Sequence, residues 1–142
     1  MTARTLRWAV VLVRLDPTEG HEQAGQRPVL VVSYEPLHQL GVMTVVPITS
    51  ARTTPRLPGD VALPAGEAGL PRPGVLICSQ VRTITVLRIV TKHPIAGAVR
   101  YVTSPAVRRQ VREELAHHFG LDVRAGPDGA DGSADFRERD DL

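Results

Sequence analysis

Two polar segments of this chain each follow an apolar run, and both hold side chains suited to phosphate chemistry. The first comes after residues 8–15 and contains His21, Glu22 and Gln23 before it ends at Arg27, directly in front of the next apolar run. A loop that only reverses the chain needs no imidazole, carboxylate, amide and guanidinium within seven residues, and loops held by rigid strands commonly contain functional groups. We interpret this segment as one half of a site.

The second segment, Thr49 and Ser50, follows the apolar run at residues 42–48 and adds two hydroxyl groups. The guanidinium of Arg27 is suited to phosphate because it is planar, permanently charged and able to make bidentate contacts. The hydroxyls can donate to the same oxygens, and the two segments meet if their strands form a hairpin. Two structural alternatives stay open: a salt bridge of Arg27, for example with Glu22, and a turn-capping hydroxyl at Thr49.

Three sequence blocks in this order resemble the MazF/PemK/Kid toxins of bacterial toxin–antitoxin systems. They are L-D-P-x-x-G-H-E-Q-x-G-x-R-P-V-L-V-V from Leu15, V-V-P-I-T-S from Val45, and Q-V-R-T-I from Gln80 with Arg88 after it. The resemblance extends over roughly residues 7 to 120, which is nearly everything except the tail. Three ordered blocks are a much more specific signal than one short motif.

The resemblance implies an SH3-like small β-barrel of the CcdB/PemK type, mainly β with a C-terminal α-helix, assembled as a homodimer. It also implies a sequence-specific, metal-independent endoribonuclease that cleaves single-stranded RNA through its 2′-OH and leaves a 2′,3′-cyclic phosphate and a 5′-OH. Arg27 and Thr49 match the main catalytic pair. The expected protein partner is an antitoxin whose acidic and apolar C-terminal segment blocks the RNA groove.

The sequence identifies the residues for proton transfer less clearly than those for phosphate binding. Some Kid-like members use an Arg-x-Asp pair before the glutamine, but Ile77 and Ser79 stand at those positions here. Arginine is too basic to be a good proton donor, so His21, Glu22 and no discrete base all stay open. Scattered histidines without ligand spacing predict neither a metal nor another cofactor. Candidate RNA-binding residues are Gln23, Ser50, Arg52, Gln80 and Arg82.

Two rival functions belong to the same fold. A CcdB-like toxin traps DNA gyrase without enzymatic activity, but it lacks the loop arginine and the threonine. An inactive family member would bind RNA or antitoxin without cutting, and the residues Ile77 and Ser79 motivate this alternative.

Charge divides the 142 residues into a basic body and an acidic tail. Residues 1–121 contain 14 Lys and Arg against 8 Asp and Glu, whereas residues 122–142 contain 3 against 7. A basic body indicates a polyanionic partner, such as nucleic acid or an acidic peptide. We expect a toxin domain at 1–121 and a disordered tail at 122–142 that solubilises the chain or shields the body.

The single cysteine and the lack of a secretory signal or a membrane-length apolar run predict a cytoplasmic protein. Cys78 lies in an apolar run, which predicts a buried thiol. Apolar runs separated by Gly and Pro predict strands at residues 8–15, 29–33, 42–48, 61–63, 75–81 and 83–90. Pro28 is expected at a strand entrance and Pro47 at a strand end, and residues 35–41 are expected to be a connection.

One helix is predicted from Pro105 to about Phe119, with Ser104 as its N-cap and Gly120 as its stop. The repeat at Val107, Val111, Leu115 and Phe119 predicts an apolar stripe that docks on the sheet. Arg108, Arg109 and Arg112 are expected on the solvated face.

Overall fold

The computed structural model describes residues 5–15, 20, 25–90 and 99–121. This part of the chain contains seven strands and two α-helices, joined by loops and short 3₁₀ turns. The strands are β1 Ala9–Arg14, β2 Gln26–Val31, β3 Val42–Thr49, β4 Asp60–Leu63, β5 Gly74–Ile77, β6 Arg82–Thr85 and β7 Arg100–Tyr101. The helices are α1 Glu35–Gln39 and α2 Pro105–His118. The predicted acidic tail at 122–142 lies outside the described residues.

The strands form one antiparallel sheet in the order β4-β5-β3-β2-β1-β7, with β6 also paired to β3. After β6 the chain returns to the far side of β1, where Ile89 bridges Val13 and the Val90 N–H donates to the Leu12 carbonyl at 2.9 Å. This return curls the sheet into a half-barrel. The predicted fold, mainly β with a C-terminal helix, is confirmed.

Strands β1 to β3 are buried on both faces, which explains why their sequences are nearly continuous apolar runs. Side chains alternate between the two faces of a strand, so Val10 and Leu30 belong to one cluster while Val11 and Val29 belong to the other. The first cluster includes side chains of α2, and the second includes a side chain of β6. The strands that support the candidate site are therefore fixed from two sides.

The two prolines lie within strands rather than at their ends, so both predictions were wrong. β3 pairs with β6 over Val42–Val45 and with β5 at Ile48 and Thr49, and Pro47 falls in the interval between these partners. On its other side, Pro47 lies opposite Val29 in β2. Pro28 precedes the β2–β3 register, which begins at Val29, so a missing N–H there costs that ladder nothing.

Helix α2 has the predicted boundaries and caps. The Ser104 Oγ accepts a hydrogen bond from the Val107 N–H at 3.2 Å, and Gly120 adopts φ +69° at the end. Val107 and Val111 are buried in the first cluster, which stabilises the fold by roughly 1.5–3 kcal/mol for each side chain. Phe119, however, is 57% exposed. The predicted stripe is wrong at this position because the helix ends there.

Of the helix arginines, Arg108 is half-buried and therefore less solvated than predicted, whereas Arg112 is exposed, as expected. The guanidinium groups of Arg108 and Arg112 both lie 5.2 Å from the centre of the Trp8 ring, and Arg108 Nε donates to the Val102 carbonyl at 2.7 Å. Long basic side chains can cover apolar surface with their stems, and the indole adds a cation–π attraction. Arg109 is exposed, as expected.

The connection predicted at 35–41 contains α1, which begins next to Pro36, a residue favoured in the first helical turn. The Ser33 hydroxyl lies 2.7 Å from His38 Nε2 and accepts from the Thr44 N–H at 2.9 Å, so α1 is tied to β3. The strand β7 was not predicted, because two residues carry no periodicity.

Two predicted strands are too long, because short 3₁₀ turns follow them. β5 ends at Ile77 before the turn Cys78–Gln80, where the Cys78 N–H donates to the Gly59 carbonyl at 3.1 Å. β6 ends at Thr85, whose side chain accepts from the Leu87 N–H and caps the turn Val86–Arg88. Neither helix of the described part is long and apolar enough to span a membrane.

Candidate active site

Pairing of β2 with β3 brings the two predicted halves of the site together. In this antiparallel register Val29 lies opposite Pro47, and continuing it by two residues places Arg27 level with Thr49. Both residues line one cavity of about 330 Å³. The expectation that β2 and β3 are neighbours and bring Arg27 and Thr49 to one place is therefore confirmed, while the catalytic role of the pair stays a prediction.

Three walls enclose this cavity: the start of β2, the end of β3, and the segment that precedes β5. Its lining contains two arginines and, among the described residues, no Asp or Glu. It consists of Gln26, Arg27, Pro28, Ile48, Thr49, Ser50, Leu63, Leu70, Pro71, Arg72, Pro73 and Gly74. Such a mixture of positive charge, hydroxyls and apolar surface suits an anionic ligand that also has a nonpolar part.

Thr49 is buried, with 5% of its surface exposed, and its Oγ1 accepts a hydrogen bond from the Ala51 N–H at 3.1 Å. The turn-capping alternative is thus correct, but it does not use the hydroxyl proton. A hydroxyl has one donor and two acceptor positions, so Thr49 can cap the turn and still donate to a phosphate oxygen. Ser50 is exposed beside it, and Arg27 is half-buried.

The third wall depends on Gly74, which was not recognised from the sequence. A Cβ atom placed on Gly74 would lie 2.6 Å from the Thr49 carbonyl oxygen, closer than real Cβ contacts allow. Only glycine lets this backbone approach Thr49 so closely. The sequence signal that could have revealed this wall is the Pro-Arg-Pro-Gly string at residues 71–74, which indicates a stiff backbone that contains one positive charge.

Arg52 lies beside the site but has a structural partner. Its Nη2 lies 3.1 Å from Asp60 Oδ1, and the side chains are 16% and 0% exposed. Asp60 Oδ2 also accepts from the backbone N–H groups of Arg56 and Leu57 at 3.0 and 2.9 Å. Asp60 therefore anchors the loop after Thr49, a role that sequence reasoning missed because it depends on a buried carboxylate at the start of β4.

Gln80 and Arg82 do not line the cavity. Arg82 is level with Val45 in the β3–β6 pair, four residues before Thr49, which corresponds to about 13 Å along a strand. At the two positions that differ from the Kid-like pair, Ile77 is buried in β5 and Ser79 is exposed.

The loop residues His21, Glu22 and Gln23 lie outside the described residues. The loop that contains them leaves and rejoins the sheet beside the cavity, since Arg14 pairs with Gln26 and the Leu15 N–H donates to the Gly25 carbonyl at 2.9 Å. Within the described ranges, no three His, Cys, Asp or Glu side chains form a group that could hold a metal ion.

Cys78 is buried, as predicted, and does not line the cavity. Burial, together with the smaller effect of the negative charges of Glu114 and Asp60, raises the pKa of its thiol from 9.0 to about 12. The thiol is therefore neutral at physiological pH and is not a nucleophile.

Comparison with known proteins places this chain in one family. The profile of the PemK-like, MazF-like toxins of type II toxin–antitoxin systems matches residues 6–119. Endoribonuclease PemK of Escherichia coli is 42% identical over 79 residues, which cover 55% of this chain and 59% of PemK. Endoribonuclease toxin ChpB of Escherichia coli K12 is 36% identical over 106 residues, which cover 73% of this chain and 90% of ChpB.

Solved structures of MazF toxins share the fold of this chain. Toxin MazF-mt6 of Mycobacterium tuberculosis superposes with a TM-score of 0.58 at 27% identity, covering 80% of this chain and 98% of that one. A MazE-MazF structure from Deinococcus radiodurans gives a TM-score of 0.59 at 27% identity, covering 81% and 95%. The sequence match and the shared fold thus lead to the same conclusion: the chain belongs to the PemK-like, MazF-like toxins of type II toxin–antitoxin systems.

Proposed function

We propose that this protein is a toxin that cleaves single-stranded RNA at specific sequences without a metal ion. The observation that carries the proposal is the meeting of Arg27 and Thr49 in one cavity, through the β2–β3 pair. The matched relatives PemK and ChpB are named endoribonucleases, which supports the same reaction class.

The chemistry follows from the residues in the cavity. The RNA 2′-OH attacks the neighbouring phosphorus, and the bond to the 5′-oxygen breaks, which leaves a 2′,3′-cyclic phosphate and a 5′-OH. Arg27 stabilises the negative charge that develops on the phosphate oxygens, and Thr49 and Ser50 donate hydrogen bonds to them. His21 and Glu22 are the candidates for proton transfer. Gln23, Gln80 and Arg82 are candidates for further RNA contacts.

We also propose an antitoxin and a second copy of this chain as partners, acting in the cytoplasm. The MazE-MazF structure supports an antitoxin partner. An acidic antitoxin segment suits the positive cavity, and the acidic residues 122–142 act as a solubilising tail. Light scattering of the full chain tests the homodimer.

The proposed function is tested with a long single-stranded RNA and its DNA counterpart, each incubated with the purified protein in EDTA. Primer extension maps the cuts, and Arg27→Ala is compared with Arg109→Ala, an exposed helix position away from the cavity. We expect discrete cuts in RNA only, lost in Arg27→Ala and kept in Arg109→Ala. An intact RNA after incubation with a folded dimer would contradict the proposal and make gyrase trapping the next test.

A further inference from the structure

The wall opposite β2 contributes the second positive charge of the cavity. Leu70 to Gly74 lead into β5, and Arg72 is an exposed residue at the centre of this segment. Neither the sequence blocks that carry the family resemblance nor the candidate residues derived from them include it.

The backbone around Arg72 is held unusually firmly for a loop. Pro71 and Pro73 each have a fixed φ angle, and a residue before proline is restricted to extended conformations, which applies to Arg72 itself. At one end the Leu70 carbonyl accepts from the Gly66 N–H at 2.7 Å. At the other end Gly74 packs directly on the Thr49 carbonyl, so the position of Arg72 is fixed relative to the candidate catalytic residue.

The charge distribution identifies the ligand chemistry. Arg27 and Arg72 line the same cavity from different walls, and its described lining contains no Asp or Glu. A single-stranded nucleic acid has one phosphate on each side of every nucleotide, so two cations around a nucleotide-sized cavity match two successive phosphates. Leu63, Leu70 and Pro71 supply apolar surface between these charges for a ribose or base.

We propose that Arg72 binds the RNA phosphate next to the one held by Arg27. This inference rests on the proposed function and deepens it, because it gives the cavity a second phosphate site. Arg72 belongs to the binding of RNA and not to the chemical step. It holds the neighbouring phosphate equally in the ground state and in the transition state.

Binding is measured with a short 2′-O-methyl oligoribonucleotide of mixed sequence, which cannot be cleaved, by fluorescence anisotropy at several salt concentrations. The full-length protein is compared with Arg72→Gln, Arg72→Lys and the matched control Arg109→Gln. We expect Arg72→Gln to weaken binding roughly 5- to 10-fold and to lower the slope of log affinity against log salt by about 0.7, the value for one phosphate contact on a single strand. Arg72→Lys retains the slope because it retains the charge.

Steady-state cleavage of RNA gives the second readout. For Arg72→Gln we expect a higher KM and an unchanged kcat, since a residue that only binds substrate contributes equally to ground state and transition state. The proposal would be overturned if Arg72→Gln had the same salt slope and the same KM as Arg109→Gln. It would also be overturned if Arg72→Gln lowered kcat and left KM unchanged. A wild-type protein that binds RNA without cleaving it would contradict the proposed ribonuclease, while the salt slope of Arg72→Gln would still decide the phosphate site.

Discussion

Two arginines lie close to the end of strand β3, and their surroundings differ. Arg27 lines a cavity whose described lining contains no carboxylate, whereas Arg52, three residues after Thr49 in the sequence, is paired with the buried Asp60. The sequence suggested RNA contact for both. Because Arg52 has a buried carboxylate partner and Arg27 lines a cavity, we expect Arg52 to act in the fold and Arg27 to act on an anionic ligand.

The largest effect is expected at Arg27. Arg27→Ala should reduce the rate of RNA cleavage by about 10²- to 10³-fold, because one preformed donor to the developing charge is lost, while the midpoint of thermal unfolding stays nearly unchanged. Cleavage rates and thermal unfolding are measured on the same preparation. A variant that keeps its activity, or one that unfolds at a much lower temperature, would place Arg27 in the same structural class as Arg52.

Thr49 tests whether the turn cap and the phosphate contact are separate roles of one hydroxyl. Thr49→Val preserves the shape and removes the oxygen, so cleavage should fall about 10- to 100-fold, the equivalent of a hydrogen bond to a charged group. Thr49→Ser keeps the hydroxyl and should stay within about 3-fold of wild type. Equal rates for the two variants would show that the hydroxyl does not contact the phosphate.

Substitution of Arg52 should reduce stability more than cleavage activity, which is the opposite of the effect expected for Arg27. Arg52→Ala leaves Asp60 buried with only its backbone donors, which should lower the free energy of unfolding by about 2 kcal/mol and affect cleavage less than Arg27→Ala. Urea unfolding measures the change. The control is Arg56→Ala, because its side chain is exposed and its backbone N–H to Asp60 is retained. If Arg52→Ala and Arg56→Ala have the same free energy of unfolding, the Arg52–Asp60 pair does not stabilise the loop.

The smallest expected effect is a pH dependence of the free energy of unfolding, caused by Cys78, whose thiol is influenced by the charge of Asp60. The pKa of Cys78 is raised to about 12 in the folded protein, so an unfolded thiol releases its proton first and stability falls as pH rises above about 9. Between about pH 8 and pH 10, this should cost about 1.4 kcal/mol. Urea unfolding of Cys78→Ala should lack this part of the decline. Identical declines in both proteins would remove Cys78 as its cause.

Local patterns in the sequence predicted most of the framework and half of the site. Apolar runs broken by Gly and Pro located the main strands, and the caps at Ser104 and Gly120 located α2. Arg27 and Thr49 could be brought together because a hairpin needs only local information. Asp60, Arg72 and Gly74 could not be found in this way, since their roles depend on contacts between elements that are distant in the sequence.

The limits of the predicted strands have a similar cause. The run through Cys78 is apolar because it packs beneath α2, although its backbone has already left the strand. Phe119 fits the helical repeat, yet it lies at the helix end and is mostly exposed. Periodicity reports that a side chain is apolar, but it does not report which surface the side chain meets.

The position of α2 at the end of the described chain has a consequence for synthesis on the ribosome. Val107 and Val111 belong to a cluster that begins with Trp8 and Val10, so this cluster is incomplete until α2 has been translated. A nascent chain that stops before Pro105 already contains Arg27 and Thr49, but it exposes apolar strand surface that favours aggregation and proteolysis. RNA cleavage is therefore expected only from chains translated through α2.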